Sequence, residues 1–241
     1  MEPITFIGCP THAGDLRGEI VTAILDAAMG NRMAFAHSKY SKLTQNFNFL
    51  LCDALNMGKF THFCMIHGDI VPAQGWLKTL HKEMEETGAD VISAVVPIKN
   101  PKGITSTGLC KEETTPLLIR RLTLKECLDP AKLKNLGLSL SPSGHSFTGD
   151  YIILNTGLML IDLRKDWIKQ ITFRVTDQII VQPDGTRKAF GGSEDWLFSL
   201  DARKLGAKLW ATTAVKLNHV GGANFSNYEA YGNESEGWHE S

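Results

Sequence analysis

"THFCMIHGDIVP", residues 61–72, decides how the rest of the chain is read. His62–Ile66 has the length and apolar character of a buried strand. It stops abruptly at His67-Gly68-Asp69, before Val71-Pro72. A buried strand ending this way delivers an imidazole and a carboxylate to its carboxyl end. The glycine between them lets neighbouring backbone or a ligand approach closely.

The segments around this stretch alternate between short β-branched runs and helical periods. "ITFIGC" (4–9) reads as a buried strand. "GEIVTAILDAAMG" (18–30) reads as a helix with Ile20, Val21, Ile24, Leu25 and Ala28 on one face. "MAFAHS" (33–38) is a second strand. "LTQNFNFLLCDALNMG" (43–58) is a second helix, with Phe47, Leu50, Leu51, Ala54 and Leu55 at helical spacing. After the 62–66 strand come a helix in "QGWLKTLHKEMEETG", stopped by Gly88, and a strand in "DVISAVV" (90–96). The order β-α-β-α-β-α-β implies an α/β fold with a mostly parallel central sheet flanked by helices. Ligands of such sheets bind beyond the carboxyl ends of the strands, where His67-Gly68-Asp69 falls.

Residues 100–150 break the pattern with repeated proline and glycine, and read as an irregular excursion with one strand in "PLLIRRLTL". "YIILNTGLMLIDL" (151–163) is strand material broken by a glycine. "VTDQIIVQPDGTRKAF" reads as a hairpin turning at Pro183-Asp184-Gly185. "SEDWLFSLDARKLG" is a helix with Ser193 as N-cap and Gly206 as stop, and "AKLWAT" is a strand. The expected organisation is one domain over 1–222, followed by a polar and aromatic tail, 223–241.

The 241 residues are enough for a substantial core, and the 43% apolar and 21% charged fractions are those of a globular chain. A formal net charge of −1 gives no global field for holding nucleic acid or anionic membrane. The five cysteines lack any CxxC pair, the nearest two (Cys52 and Cys64) being 12 apart, which points to reduced thiols in a cytoplasmic setting. "MEPITFIGCP" lacks the features of a signal peptide, and no apolar run is long enough for a membrane span.

Three constellations carry candidate chemistry. Asp69 is either a turn acid or a ligand for a hard divalent cation that also holds a diphosphate. Glu194 and Asp195 in "FGGSEDW" are either acids that complement a helix N-terminus or a general base at the mouth of a site. His219 in "KLNHVGG" is either a half-buried histidine or a metal ligand. Trp196, Phe225, Tyr228, Tyr231 and Trp238 are candidates for stacking on an acceptor, Trp196 equally for the core.

In this order, "IGCPTHAGDLR", "THFCMIHGDIVP", "NTGLMLIDLRKDW" and "GGSEDWLFSLDARKLGAKLWATTAVKLNHVGG" resemble the GT-A glycosyltransferases, especially the compact family-2-like type. The resemblance spans residues 4–222 and implies a Rossmann-like nucleotide-binding sheet and a hexosyltransferase-type reaction. The donor would be a nucleoside-diphosphate sugar, such as a UDP-sugar, and the cofactor Mn²⁺ or Mg²⁺. His67-Gly68-Asp69 matches the family's DxD motif, which implies Asp69 as metal ligand. The first family Asp is His67 here, so His67 either bonds the ribose or joins the metal shell. The family's late His matches His219, a further metal ligand. Its xED motif matches Ser193-Glu194-Asp195, with Asp195 as base in an inverting reaction. Pro10, Thr11 and His12 match the segment that wraps the nucleobase, Asn46 resembles an Asn near the donor, and Lys99 lies where a basic side chain reaches phosphate.

The acceptor stays open among a soluble glycan, a protein and a hydroxymethylated pyrimidine in phage-type DNA, and the oligomeric state is not addressed by any motif. Two other classes share these residues: a nucleotidyltransferase, and a non-catalytic sugar-nucleotide or glycan-binding module.

Overall fold

The structure is a computed structural model that describes residues 2–12, 14–110, 118–232, 234 and 237. The N-terminal part runs β1 (Ile4–Thr11), α1 (Gly18–Ala28), β2 (Arg32–Lys39), α2 (Leu43–Asn56), β3 (His62–Ile66), β4 (Ile70–Pro72), α3 (Trp76–Thr87) and β5 (Val91–Ala94). β1 pairs in parallel with both β2 and β3. All five residues of β3 are buried, as a strand covered on both faces requires. Gly88 closes α3 in the left-handed conformation, φ +64°, where a side chain would be strained.

One helical face differs from the sequence reading. α1 buries Ile20, Ala23, Ile24 and Ala27, while Val21 and Leu25 are exposed. Small alanines on the inner face let the helix lie close to the sheet, and the larger side chains point outward.

The 100–150 segment is more regular than its proline and glycine content suggests. It contains β6 (Ile104–Leu109), β7 (Arg120–Thr123), α4 (Leu124–Cys127), α5 (Pro130–Asn135), β8 (Ser139–Leu140) and β9 (Ser146–Thr148). α4 begins with a capping box in which Thr123 and Glu126 satisfy each other's backbone N–H groups. Part of the expected strand in "PLLIRRLTL" lies outside the described residues; of the rest, Arg120–Thr123 is β7 and Leu124 begins α4.

The chain then forms β10 (Ile152–Ile153), β11 (Leu158–Asp162), a 3-10 turn (Asp166–Lys169), the antiparallel hairpin of β12 (Thr176–Val181) and β13 (Arg187–Gly192), and α6 (Glu194–Lys204). β14 (Leu209–Thr212), β15 (Leu217–Val220) and β16 (Asn224–Ser226) follow.

The main sheet has eight strands in the order β2-β1-β3-β11-β5-β14-β9-β8. Its pairings give six strands one direction and reverse only β11 and β9, so the sheet is mostly parallel in direction. β3 and β5 are not neighbours, as simple alternation would make them. β11, buried along its whole length, is inserted antiparallel between them. A second sheet, β16-β15-β4, stands beyond the carboxyl end of β3. The β15–β16 hairpin pairs Val220 with Asn224, so regular structure continues past residue 222.

Candidate active site

The site is assembled where β3 gives way to β4. Asp69 lies in the short turn between them, and β4 pairs antiparallel with β15 so that His219 stands opposite Ile70. The Val220 N–H donates to the Asp69 carbonyl at 2.8 Å and locks this register. A contact between positions 150 residues apart is therefore fixed by backbone pairing.

The side chains converge on one oxygen. His219 Nε2 lies 3.4 Å from Asp69 Oδ2, and Lys99 Nζ lies 2.5 Å from the same atom. His219 Nδ1 is 2.7 Å from the Pro97 carbonyl. A carbonyl only accepts, so Nδ1 carries the proton and Nε2 is the nitrogen turned toward the carboxylate. A backbone carbonyl that holds one ring nitrogen's proton and so fixes the tautomer is the usual support of a metal-binding histidine. Burial pushes the Asp69 pKa up, but hydrogen bonds from His219 in its protonated form and from Lys99, with the charges of the His219 and His67 rings when protonated, outweigh it. Its carboxyl is held well below the usual range.

His67 is next to this group. Its N–H donates to the Gly157 carbonyl at 2.8 Å, and its ring packs against Phe47 with centroids 5.3 Å apart. Desolvation pulls the imidazole down to about 4 against the opposing charge of Asp69, so the ring is neutral at pH 7. Its Nε2 is 3.4 Å from Thr156 Oγ1.

Thr156 joins the two halves of the site, because its hydroxyl also bonds Glu194. The turn bearing Thr156 is held by Asn155, whose side chain donates to the Ala94 carbonyl at 2.7 Å and accepts from the Gly157 N–H at 3.0 Å. Ser199 of α6 ties the helix to the same turn: the Leu154 N–H donates to its Oγ at 2.9 Å.

Ser193 occupies the N-cap position of α6 but makes no cap hydrogen bond. Its hydroxyl donates to Asp195 Oδ1, and the Trp196 N–H donates to the same oxygen at 2.9 Å. Burial pushes Asp195 up, opposed by the Ser193 hydrogen bond and the positive charge of Arg121. Burial and the adjacent Asp195 raise Glu194 to about 7. Both acids are thus more basic than isolated surface carboxylates, Glu194 reaching neutrality.

The β1 end lies beside Gly68: a Cβ built there would sit 4.0 Å from Cys9 Sγ. Pro10 and Thr11 are buried and His12 is exposed. Asn46 is buried and fully engaged. Its Nδ2 donates to the Thr11 carbonyl at 3.3 Å and the Tyr40 carbonyl at 2.8 Å, and its Oδ1 accepts from Ser38 at 2.9 Å. Asn46 therefore staples the ends of β1 and β2 together.

Trp196 packs with Cys110, Ile119, Ile153 and Leu200 in a small core cluster, with Arg121 over its ring at 5.0 Å. The core alternative for this residue is the observed one. Phe225 and Tyr231 are half-buried, Tyr228 is exposed, and Trp238 lies outside the described residues. Thr156 and Arg121 are the residues that motif reasoning missed. Thr156 lies inside the quoted "NTG", but Arg121 carries no sequence signal, since only the fold brings β7 to α6.

Among the described residues, no group of three or more His, Cys, Asp or Glu side chains could hold a metal by itself. Asp69 and His219 form a two-residue donor set of one carboxylate oxygen and one oriented imidazole nitrogen. That set suits a hard or borderline divalent cation which completes its shell with phosphate oxygens.

No family model and no curated protein matches the sequence. The architecture is a GT-A-like fold. A197 from STIV superposes with a TM-score of 0.56 at 12% identity, over 95% of this chain and 94% of that one. GalNAc-T7, in a structure with UDP, GalNAc and Mn²⁺, gives a TM-score of 0.53 at 12% identity, over 91% of this chain. This chain spans 43% of that GalNAc-T7 chain. At such identity the likeness is one of fold. Among the described residues no helix is long and apolar enough to cross a membrane.

Proposed function

We propose that this chain is a metal-dependent glycosyltransferase that moves a sugar from a nucleoside diphosphate to an acceptor hydroxyl with inversion. The observation that carries the reading is the pinned His219: its Nδ1–H is committed to Pro97, and its Nε2 faces Asp69 Oδ2 at 3.4 Å.

Asp69 and His219 would hold Mn²⁺ or Mg²⁺. When bound, that cation supplies Lewis-acid neutralisation of the charge growing on the leaving diphosphate. Lys99 offers a positive charge beside the same phosphates. The nucleoside lies along Pro10, Thr11 and His12, a segment whose shape Asn46 maintains from behind. His67, neutral and half-buried, offers ring nitrogen to the donor ribose or the metal shell. Asp195 accepts the proton of the acceptor hydroxyl, whose oxygen forms the bond to the anomeric carbon as the bond to the diphosphate oxygen breaks. Burial sustains the basicity of Asp195, and Glu194 beside it supplies a second acid titrating near neutrality. A positioned base contributes about 10²–10⁴-fold. The acceptor is a hydroxyl of a glycan, a protein or a hydroxymethylated pyrimidine in DNA.

The test is product analysis with a panel of nucleoside-diphosphate sugars and nucleoside triphosphates, with and without Mn²⁺. The proposal expects Mn²⁺-dependent release of nucleoside diphosphate and sugar from one donor, slowly by hydrolysis without acceptor. Pyrophosphate release from a triphosphate would make the chain a nucleotidyltransferase. Donor binding with no turnover would make it a binding module.

A further inference from the structure

We propose that Lys99 is a tethered cation that competes with the divalent metal for Asp69 and moves to the donor's diphosphate as the metal takes the carboxylate. The inference rests on the metal reading of Asp69 and His219 and adds an internal control of that site.

Three observations carry it. First, the atom is the same: Lys99 Nζ is 2.5 Å from Asp69 Oδ2, the oxygen that His219 Nε2 faces at 3.4 Å. A divalent ion shared by Asp69 and His219 and an ammonium on that same oxygen would repel strongly, because few screening groups separate them. One must leave for the other to bind. Second, Lys99 has a lane built for it. A Cβ at Gly221 would stand 3.0 Å from Lys99 Cδ, 3.6 Å from Cε and 3.7 Å from Cγ. The glycine after β15 thus leaves room for the lysine stem to lie across the strand carrying His219. Third, the lysine head borders solvent. Its side chain is 36% exposed, whereas its backbone neighbours are fixed by Ile98 N–H to the Ile104 carbonyl at 2.9 Å and Asn100 N–H to the Ile98 carbonyl at 2.7 Å. A fixed backbone under a long, partly exposed stem suits a charge that swings between two anions. The pair is also weak enough to break, because both side chains are about one-third exposed and water screens their attraction.

The test measures Mn²⁺ binding to the full chain from the free-ion electron paramagnetic resonance signal, and pyrophosphate binding by calorimetry in saturating Mn²⁺. A site blocked most of the time binds with affinity reduced by its open fraction. Lys99→Met should therefore bind Mn²⁺ alone about 3–5-fold more tightly than the wild type. The same variant should bind pyrophosphate about 10-fold more weakly, having lost a charge-assisted contact. Gly221→Ala keeps the lysine but crowds its stem, and should shift Mn²⁺ affinity in the same direction by less. Both substitutions are at the surface, and melting curves check that the fold is retained. Unchanged or weaker Mn²⁺ binding by Lys99→Met would overturn the competition while leaving the metal site standing. Tighter Mn²⁺ with unchanged pyrophosphate binding would overturn the handover. No Mn²⁺ binding by wild type or variant at millimolar concentration would overturn the metal reading, and the inference with it.

Discussion

At the carboxyl end of β3, His67, Asp69, Lys99 and His219 meet; at its amino end His62, His81, Asp162 and Arg164 line a cavity of about 340 Å³. The two groups have nearly the same chemical inventory. At the amino end the charged and ring groups are paired with fixed neighbours. His62 Nδ1 pairs with Thr61 Oγ1 and His81 Nε2 with Thr5 Oγ1, both at 2.8 Å. Asp162 takes Arg164 in two bonds of 2.7 and 2.8 Å, and Lys165 takes Asp90 at 2.8 Å. At the carboxyl end a single oxygen of Asp69 faces two partners, Lys99 from a loop and His219 from β15. Pairs of this kind stiffen the fold. A carboxylate with competing partners can exchange one for another, which is what a binding site needs.

The largest effect expected from breaking this comparison comes from Asp195→Asn. Transfer should fall by about 10²–10⁴-fold, while Mn²⁺-dependent donor binding measured by calorimetry stays within about twofold. An equal loss of donor affinity would move Asp195 from the base role to a binding or folding role.

A smaller effect concerns Glu194. Its folded pKa of about 7 lies above the ordinary 4.5. The folded chain therefore holds the proton more tightly, and the associated stability is full below about 4.5 and lost as pH rises through 7. Glu194→Gln cannot ionise, so it should melt a few degrees above the wild type at pH 8 and level with it at pH 4. Parallel melting curves across that range would show that Glu194 is not buried against Asp195 as described.

The smallest effect tests the amino end. Burial, with the Arg164 charge, lowers His81 to about 4 from 6.5. The neutral ring contributes stability above 6.5 that is lost as pH falls toward 4, because the unfolded chain takes up the proton first. His81→Gln should flatten part of that acid-side slope, His62 and His67 keeping their shares, and leave donor binding untouched. A changed donor affinity would couple the two ends and break the contrast between them.

The first half of the fold is legible because local periodicity and chain order agree there: α2 and β3 follow from Phe47, Leu50, Leu51 and the 62–66 run. The outward turn of Val21 and Leu25 was not legible, since periodicity locates a stripe but not which edge of it meets the sheet. The insertion of β11 between β3 and β5 is a non-local event. "LMLID" announces a buried strand but not its neighbours. In the site, Asp69, Glu194, Asp195 and His219 stand out because each is a polar residue at the end of an apolar element. Thr156 and Arg121 do not, because their importance comes only from elements that fold back on them. Lys99 was expected near phosphate from its place after a strand; that Gly221 clears a path for its stem is visible only in three dimensions.

The central claim is that Asp69 and His219 form one cation-and-diphosphate site. It is tested most directly by calorimetric titration of nucleoside-diphosphate sugars into the wild type, Asp69→Ala and His219→Ala, each with and without Mn²⁺. The account predicts donor binding by the wild type that depends on Mn²⁺ and is lost, along with that dependence, in both variants. Wild-type donor affinity in either variant in the presence of Mn²⁺ would contradict it.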